Sequence, residues 1–261
     1  MPPVALRPRS TTELIDAAVQ LLRHHYMELV TTSAIFLIPA FILKLFLPDM
    51  RSGRLPAGNQ LVLFGVGLAV TAVFSIVSSS AVVVIVSDSY LGREVSIGAA
   101  VQRVIGRVWS VFWTAILQFL LAAAGTVAFL IPGLFCVAWF FAATVVVVIE
   151  GKDTFAALRR SYQLASGSVA RILGILFLSI VLVLVIEVIA GVVLGILGVL
   201  VHASAAFTTL AGNIASLLVY PFFTVVITLL YYDLRIRKEG FDLEVMSSEL
   251  GQGPAVSPSP A

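Results

Sequence analysis

The sequence predicts an all-α integral membrane protein. Six transmembrane helices are expected, in three units of an amphipathic elbow helix plus a transmembrane hairpin. Three observations lead there. The 261 residues are 60% hydrophobic and only 11% charged, against about 45–50% and 25% in soluble domains. Mean hydropathy is +1.08. Six continuous apolar runs are each about as long as the ~20 helical residues that cross a ~30 Å hydrocarbon core. The runs show no alternation, which argues against strands. A net charge of +2 is too small for a nucleic-acid binder, and one cysteine, Cys136, excludes an internal disulfide and a cysteine-rich metal site.

The first span is Leu29–Leu47, with Lys44 near its far end. No small-x-small cleavage site follows it, so it reads as a retained helix rather than a signal peptide. Leu61–Val86 is the second, bounded by Asp88. The uncharged stretch Val108–Ile149 is too long for one helix and suits two, at about 109–130 and 133–149, with the hairpin turn at Pro132-Gly133. Ile172–Val201 carries a single charge, Glu187. The sixth span is about Thr209–Tyr231, interrupted by Pro221, which is expected to kink it. Gly191 and Gly195 form a GxxxG pair on the fifth span, a signature of close helix packing.

Six spans put both termini on one side. That side holds thirteen basic residues: Arg7, Arg9, Arg23, Arg93, Arg103, Arg107, Lys152, Arg159, Arg160, Arg171, Arg235, Arg237 and Lys238. The other holds three, Lys44, Arg51 and Arg54. The positive-inside rule therefore predicts cytoplasmic termini. Tyr26, Tyr90, Tyr162, Tyr231 and Tyr232 fall at the same end and read as an aromatic belt.

An amphipathic segment precedes each odd span. Thr11–Tyr26 places Leu14, Ala18, Leu21 and Leu22 on one face and opens with the capping-box pattern Ser10-Thr11-Thr12-Glu13. Ser96–Val108 places Ile97, Ala100, Val101, Val104, Ile105 and Val108 together. Thr154–Ala165 places Phe155, Leu158, Tyr162 and Ala165 together. Ala17-Ala18-Val19-Gln20 matches Ala99-Ala100-Val101-Gln102 residue for residue. The even spans each end in an acid followed by a base: Asp88 with Arg93, Glu150 with Lys152, Asp233 with Arg235. Together with Arg159 and Arg160 these form a candidate cytoplasmic charge belt. The chain thus reads as one membrane domain over 1–245, with units at about 10–91, 92–150 and 151–240. A Gly-, Pro-, Ser- and Ala-rich tail at 246–261 is expected to be disordered. Basic amphipathic helices suit anionic headgroups at the cytoplasmic face, or serve as elbows that set hairpin spacing.

Glu187 is the only acid inside a span. At 1.5 Å per residue it lies roughly 24 Å beyond Arg171, past the bilayer middle. The same count puts Thr71, Thr126 and Ser216 at similar depth, with Tyr220 a turn away, a candidate intramembrane polar site. An intramembrane acid invites a functional reading; a hydrogen bond that only locks the fifth helix to the sixth is the structural alternative. The sequence contains no HExxH, GxSxG or phosphate-binding glycine loop, so no catalytic, cofactor or metal site is expected.

Glu150-Gly151 followed by Ala157-Leu158-Arg159-Arg160-Ser161-Tyr162-Gln163-Leu164 resembles a stretch of six-helix bacterial membrane proteins. These are the group related to the membrane domain of glycerophosphodiester phosphodiesterases and to YciC-type proteins. The ending Leu230–Leu243 is similar as well, and the resemblance spans about residues 7–245. It implies the bacterial cytoplasmic membrane and a six-helix domain, and it supplies no molecular activity. The soluble barrel that carries out hydrolysis in the fused enzymes is not expected within these 261 residues, so the resemblance implies no hydrolase activity. Two functions stay open from the sequence: a non-catalytic membrane module acting on lipid or partner proteins, and a transporter or lipid-moving protein with a polar site around Glu187.

Overall fold

The computed structural model describes residues 7–44 and 58–241. These form helices joined by short turns and connections, with no strand among the described residues. The helices are α1 (Thr11–His24), α2 (Tyr26–Lys44), α3 (Asn59–Tyr90), α4 (Ile97–Ile105), α5 (Val108–Ala128), α6 (Leu130–Phe140), α7 (Ala143–Glu150), α8 (Thr154–Ala165), α9 (Val169–Leu200) and α10 (Ala205–Glu239). Six segments are long and apolar enough to cross a membrane: Tyr26–Leu43, Asn59–Tyr90, Val108–Val127, Leu130–Glu150, Val169–Leu200 and Phe207–Glu239. The protein is therefore a multi-pass membrane protein. Arg51, Arg54 and the tail from residue 242 lie outside the described residues, so the expectations placed there are not addressed by the structure.

The most extensive helix pairs are α2 with α3, α5 with α6, and α9 with α10. Packing is uneven along the bundle. At the end where α3, α7 and α10 terminate, Ala81–Val86, Val145–Val148 and Leu229–Tyr232 are almost wholly enclosed. Leu14 and Ala18 of α1, Ala100 and Val104 of α4, and Ile172 and Ile175 of α9 complete that core. Toward the other end the apolar side chains face outward: Leu61, Val62 and Leu63 of α3, Val192, Val199 and Leu200 of α9, and Phe207 and Ile214 of α10 are exposed. In water such a surface would aggregate; against lipid tails it needs no cover. Because α3 and α9 have 32 residues and α10 has 35, each is about 48–52 Å long by helical rise. They overrun the ~30 Å apolar core, and α10 carries Arg235–Glu239 beyond it.

Several elements differ from the sequence expectation. The α5–α6 turn falls at Phe129, whose backbone is extended, and not at Pro132-Gly133. Pro132 instead occupies the first turn of α6, where a missing N–H costs nothing. Gly133 serves close approach: a Cβ there would lie 2.8 Å from the Thr126 Cα and N. Gly125 is tight against Gly133 from the other side. The Gly191/Gly195 pair makes no such approach, since a Cβ at either would meet nothing within 4 Å. Tyr90, Tyr231 and Tyr232 are 4%, 0% and 0% exposed, so they are core residues and not belt residues. Finally, α8 buries Ala157, Leu158, Ser161, Leu164 and Ala165, while Phe155 and Tyr162 are exposed. Its buried face is rotated from the one its largest apolar residues suggest, because small residues let it sit close against α6.

The fourth span is broken. Helix α6 ends at Phe140 and α7 starts at Ala143. A break within a span leaves backbone groups that lipid cannot satisfy, and two side-chain atoms satisfy three of them. Ser161 of α8 donates its hydroxyl to the Trp139 carbonyl at 2.9 Å and accepts from the Ala142 N–H at 3.2 Å. The Gln118 amide of α5 donates to the Phe140 carbonyl, and its oxygen accepts from the Thr144 hydroxyl.

At the N-terminus of α1, Ser10 Oγ accepts from the Glu13 N–H at 3.2 Å, and Glu13 Oε2 accepts from the Ser10 N–H at 2.8 Å. Arg7 adds an ion pair to Glu13 at 2.7 Å. The backbone bond from Ser10, then the Arg7 guanidinium, hold the Glu13 carboxyl down at about 2. A carboxyl whose folded pKa is depressed stabilises above its unfolded pKa, and that contribution is lost as pH falls through the folded one. The melting-temperature difference between the native chain and Glu13→Gln is therefore expected to be constant above pH ~4.3 and to shrink on acidification toward pH 2. A difference unchanged down to that pH contradicts the assignment.

Candidate functional site

The charged end is built by three acids, each near the C-terminal end of a long or broken span. Asp88 of α3 lies 3.6 Å from Arg103 of α4 and 3.9 Å from Arg93, ion pairs longer than hydrogen bonds. Glu150 of α7 accepts from Arg160 Nε of α8 at 3.0 and 3.2 Å, with Lys152 at 3.5 Å. Asp233 of α10 accepts from the backbone N–H of Arg9 at 2.8 Å, from Arg171 at 3.0 Å and from Arg237 at 2.8 Å. Each acid clasps the short helix that comes next, and the last clasps the segment that leads into the first short helix, α1. The result is a closed cycle.

Three consecutive residues of α10 hold this cycle together. Side chains one residue apart point about 100° apart around a helix, so 231–233 reach three different neighbours. The Tyr231 hydroxyl donates to Glu150 at 2.8 Å. Tyr232 shares a 2.6 Å bond with Ser87, next to Asp88, and stacks on Tyr90 at 4.9 Å between centroids. Asp233 takes the N-terminal segment. Arg171 and Arg237 both donate to the Arg9 carbonyl as well, and the Arg9 guanidinium lies over the Tyr90 ring at 5.7 Å. Arg160 bridges two acids, holding Glu239 of α10 with two nitrogens besides Glu150. The grip of Glu239, joined by that of Glu150, raises the Arg160 pKa further despite partial burial. Arg235 pairs with Glu239 at 3.1 Å and covers the Phe241 ring at 4.0 Å. Arg159 is exposed.

Gly151 shows how closely the parts fit. Its φ of +71° ends α7 in the left-handed region, and the Arg107 guanidinium lies where a Cβ would project. From there Arg107 reaches the Val147 carbonyl at 3.4 Å.

Of the intramembrane candidates, the structure joins two. The Ser216 hydroxyl of α10 donates to Glu187 Oε2 of α9 at 3.0 Å. Thr71 and Thr126 instead donate to the carbonyls of Gly67 and Ala122 in their own helices, both at 2.8 Å. A hydroxyl that can bond its own i−4 carbonyl has no need of a distant partner in lipid. Tyr220 donates to the Ser75 carbonyl of α3 at 3.0 Å, so it ties α10 to α3 and does not face Glu187. The amide nitrogen of Asn213, one turn from Ser216, is buried without a partner among the described residues.

Sequence reasoning missed Gln118, Ser161, Arg9, Arg171 and Glu239. Gln118 is the sole amide side chain in the uncharged stretch 108–149, and that isolation was the available signal. Nothing local marks the others. Among the described residues no group of three or more His, Cys, Asp or Glu stands together to hold a metal ion. Comparison with family models, with curated proteins and with solved structures returns no match to this chain.

Proposed function

We propose that this chain is a non-catalytic membrane module, three elbow-plus-hairpin units closed into a ring, that contacts lipid or partner proteins. The location that fits is the bacterial cytoplasmic membrane, with both termini and the charged end in the cytoplasm, as the thirteen-to-three basic distribution and the resemblance to six-helix membrane domains suggest. The observation that carries the reading is the cycle of acids. Asp88, Glu150 and Asp233 are each engaged by the chain's own basic residues or backbone, so they act as fasteners. What the chain then offers to others is an apolar circumference and a basic rim toward anionic headgroups.

A second reading, a transporter or lipid mover working through Glu187, draws support from the half-buried Glu187–Ser216 pair and from the unpartnered Asn213 amide beside it. One experiment separates the two. The chain is reconstituted into vesicles carrying a fluorescent phospholipid, and dithionite is added to bleach the outer leaflet. The module reading expects bleaching to stop near half of the signal, in the native chain and in Glu187→Gln alike. Complete bleaching by the native chain, lost in Glu187→Gln, would establish the second reading in its place.

A further inference from the structure

A groove of about 500 Å³ runs between the start of α5 and the start of α8, lined by Trp109, Trp113, Leu117, Leu120 and Phe155 together with Asp153. That volume lies within the ~300–1,000 Å³ of ligand sites. Its polarity is graded. Asp153, Thr154 and Ser110 stand at the charged end and Ile116, Leu117 and Leu120 at the other. From Trp109 to Leu120 the groove follows α5 for about 16 Å, close to one leaflet of a ~30 Å core.

Asp153 is the charged residue of the lining. It is exposed, it precedes α8 without making a capping bond, and it has no ion pair among the described residues. Its neighbour Lys152 turns to Glu150. The Thr154 hydroxyl is tied to the Ser110 carbonyl at 3.3 Å, which closes α8 onto α5 beneath the carboxylate. Trp109 and Trp113, a turn apart on α5, and Phe155 across from them are all more than half exposed. Aromatic faces beside a carboxylate attract an organic cation. Arg107, just ahead of α5, is directed at Gly151 and the Val147 carbonyl and lies outside the lining, which leaves Asp153 as its one charge.

We propose that this groove binds a phospholipid whose headgroup carries a primary ammonium. Asp153 accepts from the ammonium among Trp109, Trp113 and Phe155, and one acyl chain follows Leu117 and Leu120. An anionic lipid lacking the amine would meet Asp153 with repulsion. The site deepens the membrane-module reading and rests on it.

The test is tryptophan quenching in phosphatidylcholine vesicles that contain brominated-chain phosphatidylethanolamine or brominated-chain phosphatidylglycerol. Trp139 adds the same background throughout. The native chain should reach half-maximal quenching at about one-third the mole fraction of the ethanolamine lipid that the glycerol lipid requires. Asp153→Asn should bring the two to equality, and Asp16→Asn, at an exposed acid of α1 outside the groove lining, should keep the native preference. Equal quenching of the native chain by both lipids overturns the site, as does a preference that survives Asp153→Asn. A chain that does not insert into the vesicles overturns the module reading and the site together; insertion without preference overturns the site alone.

Discussion

Replacing Asp233 by alanine is expected to cost about 3 kcal/mol of stability, the largest effect of any single charge removal among the described residues. The carboxylate is 3% exposed and receives three donors. Truncation would strand the Arg9 N–H and leave Arg171 and Arg237 facing each other across a vacated site. Both guanidiniums are partly exposed, which holds the expected loss toward the lower end for a broken buried pair. Asp88 supplies the internal comparison. Its partners stand at 3.6 and 3.9 Å and are substantially exposed, so Asp88→Ala should cost about 1 kcal/mol or less from the pair itself. Thermal unfolding in detergent, followed by loss of the monodisperse peak, measures both. A melting temperature that falls no further in Asp233→Ala than in Asp88→Ala would contradict the ranking.

Gly133→Ala should destabilise by about 2–3 kcal/mol, an unusual cost for one methyl group. The added carbon would lie 2.3 Å from Thr126 Oγ1 and 2.8 Å from the Thr126 backbone. The hydroxyl can rotate away, but the backbone can give only by parting α5 from α6. In lipid, where close approach and not apolar burial drives helix association, that separation removes the main attraction. Gly195→Ala is the control, since its Cβ would meet nothing within 4 Å, and there the exchange should be neutral or slightly stabilising. Melting curves of the pair check the contrast; equal effects would contradict the assigned close contact.

The spans were legible in the sequence because bilayer thickness imposes a length on apolar runs, and this chain's runs are long and nearly free of charge. The acids were legible for a related reason: a carboxylate amid such runs has to sit at their ends or find a partner, and Asp88, Glu150 and Asp233 mark three ends. What they hold was not legible. Arg171 lies 62 residues and Arg9 224 residues ahead of Asp233, and no local pattern joins positions so distant. The break at Phe141–Ala142 left no trace, since its residues are as apolar as their neighbours and its hydrogen-bond partners come from α5 and α8. Gly133 was read as a turn former because Pro-Gly usually punctuates loops, whereas the tertiary approach to Thr126 decided its use. The proposed polar layer lost Thr71 and Thr126 because equal depth does not imply a shared face, and a hydroxyl can be satisfied within its own helix.

The central claim is that the cycle of acids and bases forms one cytoplasmic end of a six-span module. Single cysteines introduced as Arg93→Cys and Arg54→Cys, in a Cys136→Ala background, test it in intact cells with a membrane-impermeant maleimide. The account predicts rapid labelling at position 54, and protection at position 93 until the cells are opened. Labelling at 93 with protection at 54 would contradict it.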